Sequence, residues 1–186
     1  MKNVTRGVAA AALLLLPTAV LATVVVGETI EEMARASTAV VRGRVLQVQP
    51  QYDESKGMIV TYADVQVVEV LKGRPMKSVL VKQPGGELNG RGTQVAGAGK
   101  FVKGQDTVLF LEAAVDEPGV FILRALSAGK VDLETSKLGE LRAVRHLGGI
   151  AFADKTGIRE VQPEESFGSP DAFLARVRAA LKGGGR

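Results

Sequence analysis

Few residues in this sequence could carry catalysis. His146, in the run Arg142 to His146 (RAVRH), is the single histidine, and the chain has no cysteine. A zinc site needs three or four His, Cys or carboxylate ligands. A serine nucleophile would need His146 as its base, and no Gly-x-Ser-x-Gly turn occurs. We therefore predict that the protein is not an enzyme and has no catalytic, cofactor-binding or metal-binding residues and no cofactor. The alternative is a hydrolase based on His146, which otherwise reads as a surface or loop residue beside two arginines.

Three short motifs resemble known functional motifs but lack the neighbouring residues or domains that those functions need. Asp154 to Gly157 (DKTG) has the four letters found around the phosphorylated aspartate of P-type transport ATPases, but that chemistry needs a large phosphoryl-transfer domain and magnesium. Gly97 to Lys100 (GAGK) lacks the Ser or Thr of a phosphate loop. The paired acids Glu31-Glu32 and Glu164-Glu165 predict solvated faces, because adjacent carboxylates do not oppose each other across a substrate. None of these motifs predicts a reaction.

The first 22 residues predict an export signal. Two basic residues precede an apolar run from Val8 to Leu16, and small residues follow up to a predicted cleavage point after Ala22. The alternative is an uncleaved anchor, since Gly7 to Val26 is about long enough to span a bilayer. We predict an exported protein, periplasmic or extracellular. Without cysteine it carries neither disulfides nor a lipid-modified cysteine.

The charge of the chain argues against a polyanionic partner. The sequence has 24 basic and 20 acidic residues, and removal of Lys2 and Arg6 with the signal leaves 22 against 20, a net charge of +2. Aromatic residues make up only 4%, too few for the stacking platform of a nucleic-acid site, and Tyr62 sits in an apolar run that favours core packing. We predict no nucleic-acid partner and no membrane contact after signal removal. The predicted partner is another exported protein, and the oligomeric state stays open.

The central stretch of the chain, Ile59 to Gly73, predicts a long strand. Val65 and Val67 share one face of that strand, whereas Val68 and Val70 lie on the other. This change of phase predicts a β-bulge or a bend.

The remaining segments predict a mainly β fold with two helices. The spacing of Thr29 and Glu32 predicts a capping box on a short helix with Ile30, Met33 and Ala34 on one side. Ser169 and Pro170 predict the start of an amphipathic helix over about 170–182. Further strands are predicted at Ala39 to Val48, Ser78 to Gln83, Asp106 to Val115 and Val120 to Leu126, with shorter ones at Lys130 to Leu133, Gly149 to Ala153 and Ile158 to Gln162.

Short strands and abundant glycine indicate a small five-stranded OB-like β-barrel over residues 37–133, with a β-sandwich as the competing architecture. It follows the signal (1–22) and a leader with a short helix (23–36), and precedes a C-terminal extension (134–186). We expect function on the Pro50 to Gly57 loop, the glycine-rich Pro84 to Gly104 connection or a partner surface.

The order of segments resembles a family of uncharacterised bacterial exported proteins with an OB-like barrel and, more distantly, the netrin-like domain of the tissue inhibitors of metalloproteinases. The matching residues, which span roughly Ser37 to Leu133, are Ala39 to Val45, Val65 to Gly73, Pro84 to Gly86, Val95 to Gly97 and Phe101 to Leu111. In the inhibitors, the resemblance implies an N-terminal cysteine whose amine and carbonyl chelate the protease zinc. This chain has none, and its predicted mature N-terminus is Thr23. The resemblance therefore implies a fold and leaves inhibition of a secreted metalloprotease as an alternative function.

Overall fold

The structure, a computed structural model, describes residues 23–154 and 157–183. The predicted signal segment and part of the DKTG motif, Lys155 and Thr156, lie outside these ranges. In the described ranges, no helix combines the length and hydropathy needed to cross a membrane. The fold is mainly β, with two helices. The helices are α1 (Ile30–Ala36) and α2 (Pro170–Lys182), and the strands are β1 (Thr23–Val26), β2 (Ala39–Asp53), β3 (Met58–Lys72), β4 (Ser78–Pro84), β5 (Gly86–Leu88), β6 (Arg91–Thr93), β7 (Asp106–Ala113), β8 (Val120–Leu123), β9 (Lys130–Thr135), β10 (Leu141–His146), β11 (Ile150–Asp154), β12 (Gly157–Glu160) and β13 (Glu164–Ser166).

Five of these strands pair in a closed circuit. Strand β2 pairs with β3, β3 with β4, β8 with β7 and β7 with β2, all antiparallel, whereas β4 and β8 are parallel. Their inward side chains form one of two apolar cores, which includes Val41, Val45, Val65, Val81 and Leu109. The prediction of five strands was too low, because the same sheet continues from β7 through β9 and β10 to β13.

The bulge predicted in the central strand is present. Arg42 pairs with Glu69 and Gly43 with Val67, so that Val68 has no partner on β2 and is exposed. Gly43 is needed at this point, because a Cβ there would lie 2.5 Å from the carbonyl oxygen of Gln66. The strand can therefore turn sharply and still present valines to the core on either side of the bulge.

A second core lies between the extended sheet and the two helices. It includes Ile30, Val40, Phe110, Val131 and Phe173. Both helix predictions are confirmed. Thr29 and Glu32 form the capping box of α1, and α2 begins with Ser169 as N-cap and Pro170 in its first turn.

Segment boundaries differ from the predictions at three places. Pro50 to Asp53 continue β2, so only residues 54–57 turn between β2 and β3. The glycine-rich connection carries the β5 and β6 hairpin. Strand β8 ends at Leu123, because Ala125 and Leu126 adopt positive φ angles of 51° and 56° that no strand accommodates. The chain then makes a 3₁₀ turn over Leu126–Gly129.

The predicted hairpin near residue 155 is present as the antiparallel pair β11 and β12. Strand β1 adds to β11 in parallel and completes a small three-stranded sheet. Strand β10 lies in the C-terminal extension, where no strand was predicted for it, and pairs with β9 and β13.

Candidate functional site

A cleft of about 390 Å³ lies on the outside of the closed circuit, between the turn that joins β2 to β3 and the loop that joins β7 to β8. Its volume falls in the range of about 300–1,000 Å³ that is typical of ligand sites. The lining residues come from both connections and from the strands beneath them: Gln51, Tyr52, Asp53, Glu54, Ser55, Val60, Tyr62, Lys82, Asp116 and Glu117.

Lys82 lies at the centre of this cleft. It belongs to β4, where Val79 and Val81 point into the core and the alternate residues point outward. Although it faces outward, Lys82 is only 8% exposed, because neighbouring side chains cover it. Its Nζ lies 3.1 Å from Asp53 Oδ2 and 3.1 Å from Glu117 Oε2. The ammonium group is thus shared between the two connections that border the cleft.

Tyr62 completes the network from the neighbouring strand. Its hydroxyl donates to Glu117 Oε2 at 2.9 Å, and Lys82 Nζ lies 5.5 Å from the centre of its ring. Burial raises the pKa of Tyr62, and the hydrogen bond to Glu117 adds to that effect. Tyr62 therefore stays protonated and fixed in orientation at neutral pH.

The protonation state of Lys82 is set by two opposing effects. Burial, the largest single effect, lowers the pKa of an ammonium group. The hydrogen bonds with Glu117, Asp53 and Tyr62 together outweigh it, so the pKa of Lys82 is raised above its ordinary value. Lys82 consequently remains charged across the neutral range and cannot serve as a base.

Asp53 is held by the turn that follows it. Its Oδ1 accepts hydrogen bonds from the Ser55 hydroxyl at 2.6 Å, the Ser55 backbone N–H at 3.1 Å and the Lys56 backbone N–H at 3.2 Å. The hydrogen bond from the Ser55 hydroxyl is the largest cause that lowers the pKa of Asp53, and the hydrogen bond from Lys82 is the second. The resulting pKa is about 2. Asp53 is therefore ionised at neutral pH and cannot serve as a proton donor.

A second ion pair joins the two connections at the mouth of the cleft. Lys56 Nζ lies 2.7 Å from Asp116 Oδ2, and both side chains are substantially exposed. The Lys56 hydrogen bond lowers the pKa of Asp116. Because exposed pairs contribute little to stability, this contact orients the loops more than it stabilises them.

The outer wall of the circuit continues from the cleft as a row of side chains in register. Gln49 pairs with Tyr62, Tyr62 with Lys82, and Lys82 with Ile122, across strands β2, β3, β4 and β8. Residues paired across strands share one face of a sheet. The cleft and this row therefore form one continuous surface on the outer face of the circuit.

His146 lies far along the sheet, on β10. Its Nε2 is 3.3 Å from Glu134 Oε2 and 3.9 Å from Asp132 Oδ2. Its side chain is 49% exposed. The prediction of a surface residue is confirmed, although His146 ends a strand instead of lying in a loop.

The paired acids have structural partners. Glu31 of α1 accepts two hydrogen bonds from Arg176 of α2, and Glu32 closes the capping box. Glu165 accepts from Arg145. In residues 23–154 and 157–183, no group of three or more His, Cys, Asp or Glu side chains could hold a metal ion.

The sequence predicted function on the Pro50 to Gly57 loop, the Pro84 to Gly104 connection or a partner surface. The first of these supplies part of the cleft, and the second contributes no lining residue. The prediction missed Tyr62, which faces outward instead of packing in the core, and Lys82, Asp116 and Glu117. The available signal was Lys82, a charged residue that directly follows the apolar run Val79 to Val81 and lies on the same strand face as Ser78.

Comparisons with known proteins add no assignment to this geometry. A scan against protein-family models and a search of curated proteins both found no match to the chain.

Proposed function

We propose that the protein is an exported, non-enzymatic binding module that holds its ligand in the cleft around Lys82. The observation that carries this proposal is the bonding of Lys82 to both Asp53 and Glu117. Through it, one buried ammonium group fixes the two connections that border an open cleft. A site whose polar groups are already fixed loses less conformational entropy when a ligand binds.

The strand order supports an OB-like barrel, the fold that the resemblance in the sequence implies. In chain order, the five strands of the circuit close as first, second, third, fifth and fourth, with the third and fifth parallel. OB-folds bind ligands on the face of their second and third strands, between the loops that join strands one to two and four to five. The cleft lies at the equivalent place, so the likeness favours the same face for binding.

The charges in the cleft favour binding over acid–base chemistry. A general acid or base works best with a pKa near the operating pH. Lys82 has a raised pKa and Asp53 a pKa of about 2, so neither exchanges a proton near neutrality.

The inhibitor alternative has less support. The backbone N–H of Thr23 donates to the Gly149 carbonyl at 2.9 Å, and its hydroxyl donates to the Ala96 carbonyl at 2.7 Å. The nitrogen that would have to reach a protease zinc is therefore already hydrogen-bonded in the β1 strand.

A capture experiment tests the proposed function. The full chain, expressed with its own leader and purified, is immobilised and exposed to the exported fraction of the producing cells. We expect a bound component that is retained by the wild type and lost by Gln49→Arg, which adds a bulky charge beside Tyr62. Gln49 is exposed and makes no side-chain hydrogen bond in the described part of the chain, so this variant should fold normally.

Lys137→Ala is the control, because Lys137 is also exposed but lies in the turn between β9 and β10. It should capture the same component as the wild type. Capture of nothing, or equal capture by Gln49→Arg, would refute the assignment of the cleft.

A further inference from the structure

Strand β1 offers a second interaction surface, which shares no residue with the cleft around Lys82. We propose that an extended segment of another protein adds to the open edge of β1 as a further strand, and that a carboxylate of this segment binds Arg35. The inference does not depend on the function assigned to the Lys82 cleft. It follows from the unpaired backbone edge of β1, the apolar side chains beside that edge and the charges of a cleft at its end.

The backbone of β1 is paired on one side only. The strand ends the small three-stranded sheet, where its partner is β11. The N–H groups of Thr23 and Gly27 donate to carbonyl groups in or next to β11, at 2.9 and 3.0 Å. Successive residues of a strand direct their backbone groups to opposite edges, so the N–H and C=O groups of Val24 and Val26 point away from β11. Because no strand of the described ranges pairs with them, these groups are available to an added strand.

Nothing in the sequence of β1 discourages such pairing. Its four residues, TVVV, include no charged residue and no proline. The other strands that pair on one side only each carry at least one charged residue: Glu87 in β5, Arg91 in β6, Arg159 in β12 and Glu164 in β13. Charged side chains at the edge of a sheet oppose the addition of a foreign strand. Their absence singles out β1 as the edge that can accept one.

The side chains beside this edge favour an apolar partner. Val24 and Val26 are 48% and 70% exposed, whereas Val25 packs against the second core. The same face of the sheet continues through Ala153, which pairs with Val26, to Ile158, which is 68% exposed. An added strand would place every second side chain on this face, next to the two valines. β-Branched residues at alternate positions suit that place best.

A cleft at the end of β1 indicates the charge of the partner. This cleft of about 480 Å³ lies between the end of the strand and α1, and its lining residues are Val26, Gly27, Glu28, Glu32, Arg35 and Ala36. Both carboxylates are already occupied, because Glu28 accepts two hydrogen bonds from Arg124 and Glu32 closes the capping box. Arg35 is exposed, and its guanidinium group makes no hydrogen bond or ion pair with any described residue. A guanidinium group binds a carboxylate through two parallel N–H···O bonds, so a carboxylate is the group that fits here.

The carboxylate could come from either end of the added strand. Strand β1 runs towards the cleft, since Val26 lines it and Thr23 does not. A segment parallel to β1 would bring its C-terminal carboxylate to Arg35, whereas an antiparallel segment would bring an acidic side chain near its N-terminus. Addition of a strand to an exposed edge, with specificity from alternate side chains, is a common mode of peptide recognition.

Fluorescence anisotropy with three labelled peptides tests the inference on the full chain, expressed with its own leader. Each peptide contains five alternating valines and threonines and a neutral dye. The first ends in a free carboxylate, the second in an amide, and the third in an amide but with an added N-terminal aspartate. The first or the third should bind at least about fivefold more tightly than the second, because hydrogen bonds to charged groups are the stronger ones. This advantage should shrink between 50 and 500 mM NaCl, and the peptide that shows it gives the direction of the added strand.

Two variants locate the binding site. Arg35→Gln should abolish the advantage of the carboxylate peptides, whereas Arg91→Gln, which changes another exposed arginine, should preserve it. Val24→Pro removes an outward N–H group and should weaken all three peptides at least about fivefold. Since β11 does not use that N–H group, Val24→Pro should keep the fold, which circular dichroism verifies.

Four results would overturn the inference. The first is equal binding of the carboxylate and amide peptides, and the second is binding that Val24→Pro leaves unchanged. The third is the absence of binding by every peptide at about 1 mM. The fourth is a wild-type dimer that becomes monomeric in Val24→Pro by sedimentation, because a second copy would then cover the edge. A failed capture experiment, by contrast, would remove the function proposed for the Lys82 cleft and leave this inference in place.

Discussion

Replacement of Lys130 by methionine should destabilise the protein strongly, because it leaves a buried carboxylate without its partner. The side chains of Lys130 and Asp132 are only 5% and 3% exposed. Lys130 Nζ lies 2.5 Å from Asp132 Oδ1 and 2.6 Å from Oδ2. Burial lowers the pKa of Lys130, and the nearby Asp132 opposes that shift. The pair is thus two desolvated charges that depend on each other.

The magnitude follows from this burial. Removing one partner of a buried ion pair costs about 3–5 kcal/mol, since the remaining charge has lost both water and its counter-ion. Methionine keeps most of the apolar stem that packs beside Phe101, whose ring centre is 5.4 Å from Nζ. Because domains are stable by only about 5–15 kcal/mol, the variant should lose at least about a fifth of its free energy of unfolding.

Urea denaturation followed by circular dichroism measures this loss. With a slope of about 2–3 kcal/mol per molar, the midpoint should fall by about 1–2.5 M. The double variant Lys130→Met with Asp132→Leu is the control. An apolar pair of similar volume often replaces a buried ion pair at little cost, so it should recover most of the lost stability. A loss below about 1 kcal/mol in Lys130→Met, with an unchanged slope, would refute the reasoning.

Three further changes test other parts of the structure. Gly43→Ala should lower the free energy of unfolding, measured by urea denaturation, by about 1–3 kcal/mol, because the added Cβ would lie 2.6 Å from Val65 Cγ1. Gly148→Ala is the control and should leave stability unchanged, because its Cβ would have no atom within 4 Å. Equal losses in the two variants would contradict the packing at the bulge. Thr29→Ala should cost about 1 kcal/mol in the same assay by removing the N-cap of α1, and no loss would argue against the capping box. Asp53 has a folded pKa of about 2 against an ordinary 3.8, so its stabilising contribution exists above about pH 4 and is lost as the pH falls towards 2. The difference in unfolding free energy between wild type and Asp53→Asn should therefore be constant above pH 5 and shrink below pH 4; a difference that does not change with pH would contradict the Asp53 network.

Much of the fold could be predicted because the relevant signals are local. The capping box at Thr29 and the Ser169-Pro170 start of α2 each depend on contacts within one helical turn. The bulge at Val68 was predictable because a strand has a two-residue period, and a change of phase must be absorbed somewhere. The pattern could not give the extent of the sheet, because β9 and β13 join it through strands that are not their neighbours in the chain: β9 pairs with β7, and β13 pairs with β10.

The site was harder to predict for a related reason. Tyr62 lies in an apolar strand whose one face packs on the core and whose other face is partly covered by the loops. The strand therefore lacks the alternation of polar and apolar residues that would have marked Tyr62 as facing outward. Lys82 and Glu117 are 35 positions apart and meet only because β4 and β8 are parallel neighbours. Residues that strand pairing brings together in this way have no characteristic spacing in the sequence, so no motif marks them.

Mapping of amide chemical shifts tests the central claim most directly. The full chain, labelled with ¹⁵N, is titrated with the component recovered by capture. The account predicts that the perturbed amides cluster at Gln49, Gln51 and Tyr62 and in the β7–β8 loop around Glu117. Perturbation confined to the β1, β11 and β12 sheet or to α2, with those amides unchanged, would contradict it.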